Sequence, residues 1–294
     1  MLPFAAVAIL TATGFVQAQP QVFHSEVEIV PVAVSVEKAD GSFVENLDAH
    51  QFRVFDQGIP QPVAFFSDAA VPVDLVLMLD TSDSMGARIP TAKRAAVQFV
   101  NALGLQDRAA VVRFAWDART VQPLTGDRRA VIAAIEGLTT SGNTALYDSL
   151  YIALKTAPAQ TDGGIRRQAL VVFSDGDDTN SMLSYDAVRD EARQRGMALY
   201  IIRLAAPGPR SARSFESDYE LRQLARDTGA QFFPATTVDD LKGIYSRIAR
   251  ELAHQYLIGF EPAPRDGPDH FRQIAVVVDA PHSSIRARTG YVVQ

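Results

Sequence analysis

Cysteine is absent from all 294 residues. That excludes a disulfide framework, a thiolate metal site, a catalytic thiol and lipid attachment through an N-terminal cysteine. Positive charge is also in short supply: 28 Lys and Arg stand against 34 Asp and Glu, a formal net charge of −6. A general nucleic-acid binder needs a basic surface, so no nucleic-acid partner is expected. The basic pairs Arg128-Arg129 and Arg166-Arg167 read as solvated surface charge. Histidine is sparse too, and His24, His50, His254, His270 and His282 all fall in or at the edge of the terminal flanks. No HExxH motif and no phosphate-cradling glycine loop occurs.

What is present supports a folded, exported chain. With 47% hydrophobic and 21% charged residues, a sizeable core can form and wholesale disorder is not expected. Pro3 to Val16 is apolar and rich in small residues, and Val16-Gln17-Ala18 approximates a cleavage site. Residues 1–18 therefore read as a signal peptide, although no Lys or Arg precedes the apolar stretch. The stretch falls short of the about 20 residues that span a bilayer. An uncleaved anchor is the rival reading, and the one route by which this chain would meet a membrane. The expected location is the periplasm, the cell envelope or the exterior.

Three regions follow. Residues 26–69 read as strands, with Val32, Val34 and Val36 alternating with smaller or polar neighbours. Phe52 to Phe55 and Val63 to Phe66 flank Asp56-Gln57-Gly58 as a hairpin, and Pro60 and Pro62 place it at a sheet edge. From 71 to 254 the rhythm changes. Val73 to Leu79 and Ala169 to Phe173 are nearly continuous apolar runs, as in strands buried on both faces. Helical spacing separates them, as at Ile89, Ala92, Ala96, Phe99, Val100 and Leu103. A last helix, Val238 to His254, starts at a capping Thr237. This alternation predicts an α/β unit with a mostly parallel sheet covered on both faces. Residues 255–294 return to strands: Tyr256 to Phe260, Ile274 to Val278 and Ile285 to Val293. Neither flank alone offers a stable sheet, so the two are expected to pair into one small β-domain. Two separate extensions on the α/β body are the alternative.

In an open parallel sheet, sites form at the carboxyl ends of the strands. Asp80 ends one buried strand and Asp175 another, and the polar loop Ser141-Gly142-Asn143-Thr144 can lie at the same edge. The collected groups are the carboxylates of Asp80 and Asp175 and the hydroxyls of Ser82, Ser84 and Thr144. Hard oxygens without imidazole or thiolate suit Mg²⁺, Mn²⁺ or Ca²⁺ and disfavour Zn²⁺. Asp177 and Asp178 read as surface charges, and Trp116 and Tyr147 as packing residues near the site.

These residues resemble a known family. Asp80-Thr81-Ser82-Asp83-Ser84 matches the Asp-x-Ser-x-Ser motif of von Willebrand factor type A (VWA) domains. Gly142-Asn143-Thr144 is similar to that family's threonine loop, and Ser174-Asp175-Gly176 to its third loop. The resemblance covers about Val71 to His254 and implies a doubly wound, Rossmann-like domain with a metal-ion-dependent adhesion site (MIDAS). It also implies the ligand set: Ser82, Ser84 and Thr144 through hydroxyls, Asp80 and Asp175 directly or through water, with Asp83 outside it. The implied cofactor is a divalent cation, Mg²⁺ first, and the implied partner is a protein presenting Asp or Glu to it. The flanks, including Arg288-Thr289-Gly290-Tyr291, resemble a bacterial exported "VWFA-related" group. No base stands beside Ser82 or Ser84, so the expectation is a binding module, not an enzyme. A metal-assisted hydrolase and an envelope assembly protein with a stabilising metal are the other readings.

Overall fold

The computed structural model describes residues 29–69, 71–157, 166–175, 178–205, 212–262 and 271–293. Residues 1–18, Asp177 and the histidines at 24 and 270 lie outside them. The elements run β1 (Val30–Lys38), β2 (Phe52–Asp56), β3 (Ile59–Gln61), β4 (Val63–Ser67), β5 (Val73–Asp80), α1 (Ile89–Ala102), β6 (Arg108–Phe114) and β7 (Ala118–Thr125). They continue α2 (Arg128–Glu136), α3 (Leu146–Thr156), β8 (Arg167–Ser174), α4 (Tyr185–Arg195), β9 (Ala198–Leu204), α5 (Ala212–Asp227), β10 (Phe232–Ala235) and α6 (Asp240–His254). The chain closes through β11 (Tyr256–Phe260), β12 (Phe271–Val278), β13 (Ser283–Arg286) and β14 (Gly290–Val292).

The central sheet has six strands in the order β10-β9-β8-β5-β6-β7. All neighbours are parallel except β6 and β7. Successive side chains on a strand point to opposite faces, and β5 uses both. Leu75, Leu77 and Leu79 pack with α1, α2 and α6, where Phe99 stacks on Tyr245 at 4.9 Å. Val76 and Met78 pack on the other side with α3, α4 and α5. The doubly wound α/β class is therefore observed. Burial on both faces explains the unbroken apolar run, because no position of β5 meets water.

Strands of both flanks share two further sheets, β13-β1-β11-β4 and β14-β12-β2-β3. β1 runs antiparallel to β11, with Val32 opposite Ile258, and β12 antiparallel to β2, with Ala275 opposite Phe55. Val32, Val34, Phe52, Val54, Ile258 and Phe260 fill the space between the sheets.

Several sequence expectations are corrected. The hairpin joins β2 to β3, not to β4: Gln57 and Gly58 adopt φ of 51° and 78°, the two-residue turn that matches strand twist. Pro62 then ends β3, and β4 crosses to pair with β11. Residues 285–293 form two strands in different sheets, because the intervening segment turns aside. There Thr289 N donates to Asp227 O (3.0 Å) and Arg288 bridges Thr228. α6 begins at Asp240, whose carboxylate accepts from Thr236 N (2.9 Å) and Thr237 N (2.8 Å), so the capping runs opposite to the Thr237 expectation. Arg167 is buried and donates to the Val71 carbonyl, while Arg166 pairs with Asp74 at 2.7 Å. Arg128 donates to Gly104 O (2.8 Å), so these basic pairs are not simply solvated.

The β flanks are tied to α6 through buried charge. Glu251, with no exposure, accepts from Ser35 Oγ (3.0 Å) and Tyr200 OH (3.2 Å) and pairs with Arg286 (2.9 Å). Glu37 of β1 joins Arg286 (2.7 Å) and Arg247 (2.5 Å). The helix that closes the α/β sheet is thereby bonded directly to β1 and β13.

Candidate metal centre

Thr81 ends β5: its N–H and hydroxyl both donate to Phe114 O, at 2.7 and 3.0 Å. The chain then doubles back, and Ser82 N donates to Asp80 Oδ1 at 2.8 Å, an Asx turn that reaches two residues on. Residues Asp83–Met85 add a 3₁₀ turn. This brings the Ser82 and Ser84 hydroxyls to 2.9 Å from each other. β8 lies beside β5 with Leu79 opposite Phe173, so the next residues of both strands meet. Ser174 Oγ donates to Asp80 Oδ2 (2.6 Å), and Ser84 Oγ donates to Asp175 Oδ1 (2.7 Å). Four of the five candidate residues thus form one hydrogen-bonded cluster at the carboxyl edge of the sheet.

Thr144 arrives by its backbone. Its loop is pinned on one side by Ser141 N to Thr81 O (2.7 Å) and Asp83 N to Gly142 O (2.9 Å). On the other side Thr179 N and Asn180 N donate to Thr144 O, at 3.0 and 3.1 Å. Thr144 is buried between the first and third loops, and no hydrogen bond among the described residues joins its hydroxyl to the other four. Asp83 is exposed.

Three residues with roles at the site escaped the sequence reading. Ser174 holds Asp80, and its place beside Asp175 was the available signal. Arg88 forms an ion pair with Asp175 Oδ2, and nothing in its spacing marks it. Asp178 corrects an expectation: it is buried, not a surface charge. Its Oδ1 accepts from Leu146 N (2.8 Å) and Ser181 Oγ (2.5 Å), satisfying the first N–H of α3 just after Thr144.

The rim is partly apolar. Trp116, expected to pack, is 56% exposed. Tyr147 is buried, with its hydroxyl on Glu220. Gly142 has φ of 80°, and a Cβ there would lie 2.6 Å from Trp116 Cδ1. Glycine is needed at this position both for backbone conformation and for the indole.

Asp80 has no exposure and, among the described residues, takes hydrogen bonds only from neutral donors. Burial pushes its carboxyl above the usual range; the Ser174 and Ser82 hydrogen bonds oppose this, and the Asp175 charge adds to it. A buried carboxylate without a cation of its own is costly, and a cation beside it would relieve that cost. The donors are hard oxygens throughout, the chemistry of Mg²⁺, Mn²⁺ or Ca²⁺. No three His, Asp or Glu side chains gather at one point among the described residues, so hydroxyls must complete any such site. On these grounds the residues fit a divalent cation.

The VWA family model, described as the von Willebrand factor type A domain, matches residues 74–247, more than half of the chain. Among curated sequences, a UPF0353 protein from Mycolicibacterium paratuberculosis is 26% identical over 220 residues, covering 66% of this chain and 65% of the relative. A second, from Nocardia farcinica, is 23% identical over 218 residues, covering 65% of each. The chain therefore spans 65% of the length of these curated relatives. Among solved structures, proximal thread matrix protein 1 from the mussel byssus, with a zinc-occupied MIDAS motif, gives a TM-score of 0.54 at 17% identity, covering 69% of this chain and 50% of that one. The vWF domain of the type V pili tip protein Mfa5 from Porphyromonas gingivalis gives 0.52 at 16%, covering 62% and 95%. A von Willebrand factor type A protein from Catenulispora acidiphila gives 0.52 at 16% and covers 92% of this chain and 75% of that one, so the likeness in fold extends into the β flanks. The family match and the doubly wound sheet agree: this chain belongs to the von Willebrand factor type A domain family.

Proposed function

We propose that this chain is an exported, metal-dependent protein-binding module that works in the periplasm, at the cell envelope or outside the cell. Asp80, Ser82, Ser84, Thr144 and Asp175 would hold a divalent cation, with Mg²⁺ first and Mn²⁺ or Ca²⁺ as alternatives. When bound, the cation supplies an electrophilic position for an Asp or Glu of a partner protein. Two carboxylates balance its charge formally, and the hydroxyls add none, so attraction for an outside carboxylate persists.

The observation that carries this reading is the linked cluster of Asp80, Ser82, Ser84 and Asp175 at the ends of β5 and β8. The exposed Trp116, beside Gly142 of the Thr144 loop, favours a protein partner whose acid is flanked by apolar side chains, because aromatic side chains are enriched at such interfaces. The pilus-tip and thread-matrix settings of those two proteins are in keeping with this role. We read the site as binding, not catalytic: the described histidines, His50, His254 and His282, lie in or beside the β flanks.

Trp116 is the one tryptophan of the chain and packs at Gly142, so its emission reports on the site. Mg²⁺ should change that emission saturably. A short peptide with one Asp between apolar residues should change it further in Mg²⁺, but not in chelator and not in Asp80→Ala. Equal peptide binding in all three conditions refutes the proposal.

A further inference from the structure

Arg88 is the one basic group described in direct contact with the oxygen cluster. Its place is fixed by the backbone: Arg88 N donates to Met85 O (2.8 Å), and Arg88 O accepts from Thr91 N (3.1 Å) and Ala92 N (3.0 Å). It therefore stands at the start of α1, four residues after Ser84. Its guanidinium, on a side chain 23% exposed, pairs with Asp175 Oδ2, while the other oxygen of Asp175 accepts a hydrogen bond from the Ser84 hydroxyl. Asp175 thus has both oxygens engaged, and among the described residues Asp80 is met by neutral donors alone. The cluster carries two carboxylates and one tethered positive charge.

We propose that Arg88 is a built-in counter-ion that competes with the divalent cation and so sets the metal affinity of the site. The inference rests on the metal-binding reading above. A metal ion and the guanidinium would draw on the same carboxylate and repel each other, so metal binding must displace Arg88 from Asp175 or strain that contact. Without metal, Arg88 keeps two adjacent buried acids from facing each other uncompensated. With a side chain long enough to swing outward, it can leave without unfolding α1, because its anchoring bonds are all to its backbone.

The consequence is a pair of effects with opposite signs. Removing Arg88 should weaken the metal-free protein and strengthen metal binding. A merely structural arginine would do the first without the second. The test compares wild type, Arg88→Gln and Arg88→Lys by titration calorimetry with Mg²⁺ alone, and by melting temperature in chelator and in Mg²⁺.

Arg88→Gln should bind Mg²⁺ roughly 10- to 100-fold more tightly, the equivalent of one charge-assisted contact no longer broken. It should also melt lower than wild type in chelator and gain more from Mg²⁺. Arg88→Lys keeps the charge but loses the planar fork, and should fall between the two. Metal binding seen in Arg88→Gln and not in wild type also supports the proposal. Equal or weaker binding by Arg88→Gln, with wild type binding normally, overturns the proposal and leaves the metal site standing. No binding by either protein overturns both. Should Arg88→Gln fail to fold, Arg88→Lys decides: tightened binding supports the proposal, and unchanged binding overturns it.

Discussion

Asp178 offers the sharpest test of how the site is built. Its carboxylate accepts from Leu146 N at 2.8 Å and from Ser181 Oγ at 2.5 Å, inside a shell where Leu146 is 1% exposed. Asp178→Ala leaves the first N–H of α3 buried without a partner and frees Ser181. The lost cap and the orphaned donor are one and the same N–H, so the cost is about 1–3 kcal/mol. At a central value of about 2 kcal/mol, the melting temperature falls by roughly 4–8 °C for a chain of this class. Asp178→Asn keeps an acceptor of the same shape and should lose less than half of that. Asp186→Ala is the control, since Asp186 is a 68% exposed side chain whose ion pair with Arg189 lies on the surface, where such pairs contribute little. The assay is thermal unfolding followed by circular dichroism. Thr144 lies two residues before Leu146, so Asp178→Ala should also weaken Mg²⁺ binding even well below its melting temperature. A melting temperature within about 1 °C of wild type would show that Asp178 does not cap α3.

Other predictions follow from the same geometry. Burial pushes the Asp74 carboxyl up, but the guanidiniums of Arg108 and Arg166 outweigh it and hold it below the usual range. Its contribution is therefore present above the unfolded pKa, about 3.9, and fades as pH falls through the lower folded value. Urea midpoints of wild type and Asp74→Asn should differ by a constant amount near neutral pH and converge in acid, and a pH-independent gap contradicts this. Gly142→Ala should cost about 1–2 kcal/mol from its left-handed backbone and shift the Trp116 emission; unchanged emission and stability would rule the contact out. Glu251→Gln should lower stability by about 3 kcal/mol, because it breaks a buried ion network. Denaturation probed separately in the β flanks and the α/β sheet should move together, and movement of one alone would deny the coupling.

The fold class was legible because β5 and β8 carry their message locally: an unbroken apolar run is what a strand covered on both faces requires. Helical spacing between such runs then leaves few arrangements. The placement of Asp80 and Asp175 at one edge follows from the parallel register, which is a property of the sheet and not of any one residue. What local pattern could not carry was tertiary. The turn at Gln57-Gly58 was readable, but not the strand that follows it: β3 is three residues long and carries Pro60, so the apolar run of β4 looked like the partner. The break between β13 and β14 depends on Asp227 and Thr228, some 60 residues away along the chain. Asp178 looked like one more acid in an acidic stretch, and its burial depends on an N–H of α3. Arg88 was invisible for the same reason: its partner follows the end of a strand, 87 residues later.

The proposed ligands of the divalent cation are Asp80, Ser82, Ser84, Thr144 and Asp175. Crystals grown with Mn²⁺ test that assignment most directly, because the anomalous signal locates the ion without assumption. One strong peak is expected, bounded by these side chains, about 2.0–2.3 Å from the Ser82 and Ser84 hydroxyl oxygens, and absent in Asp80→Ala. No peak there, or one that persists in Asp80→Ala, would contradict the assignment.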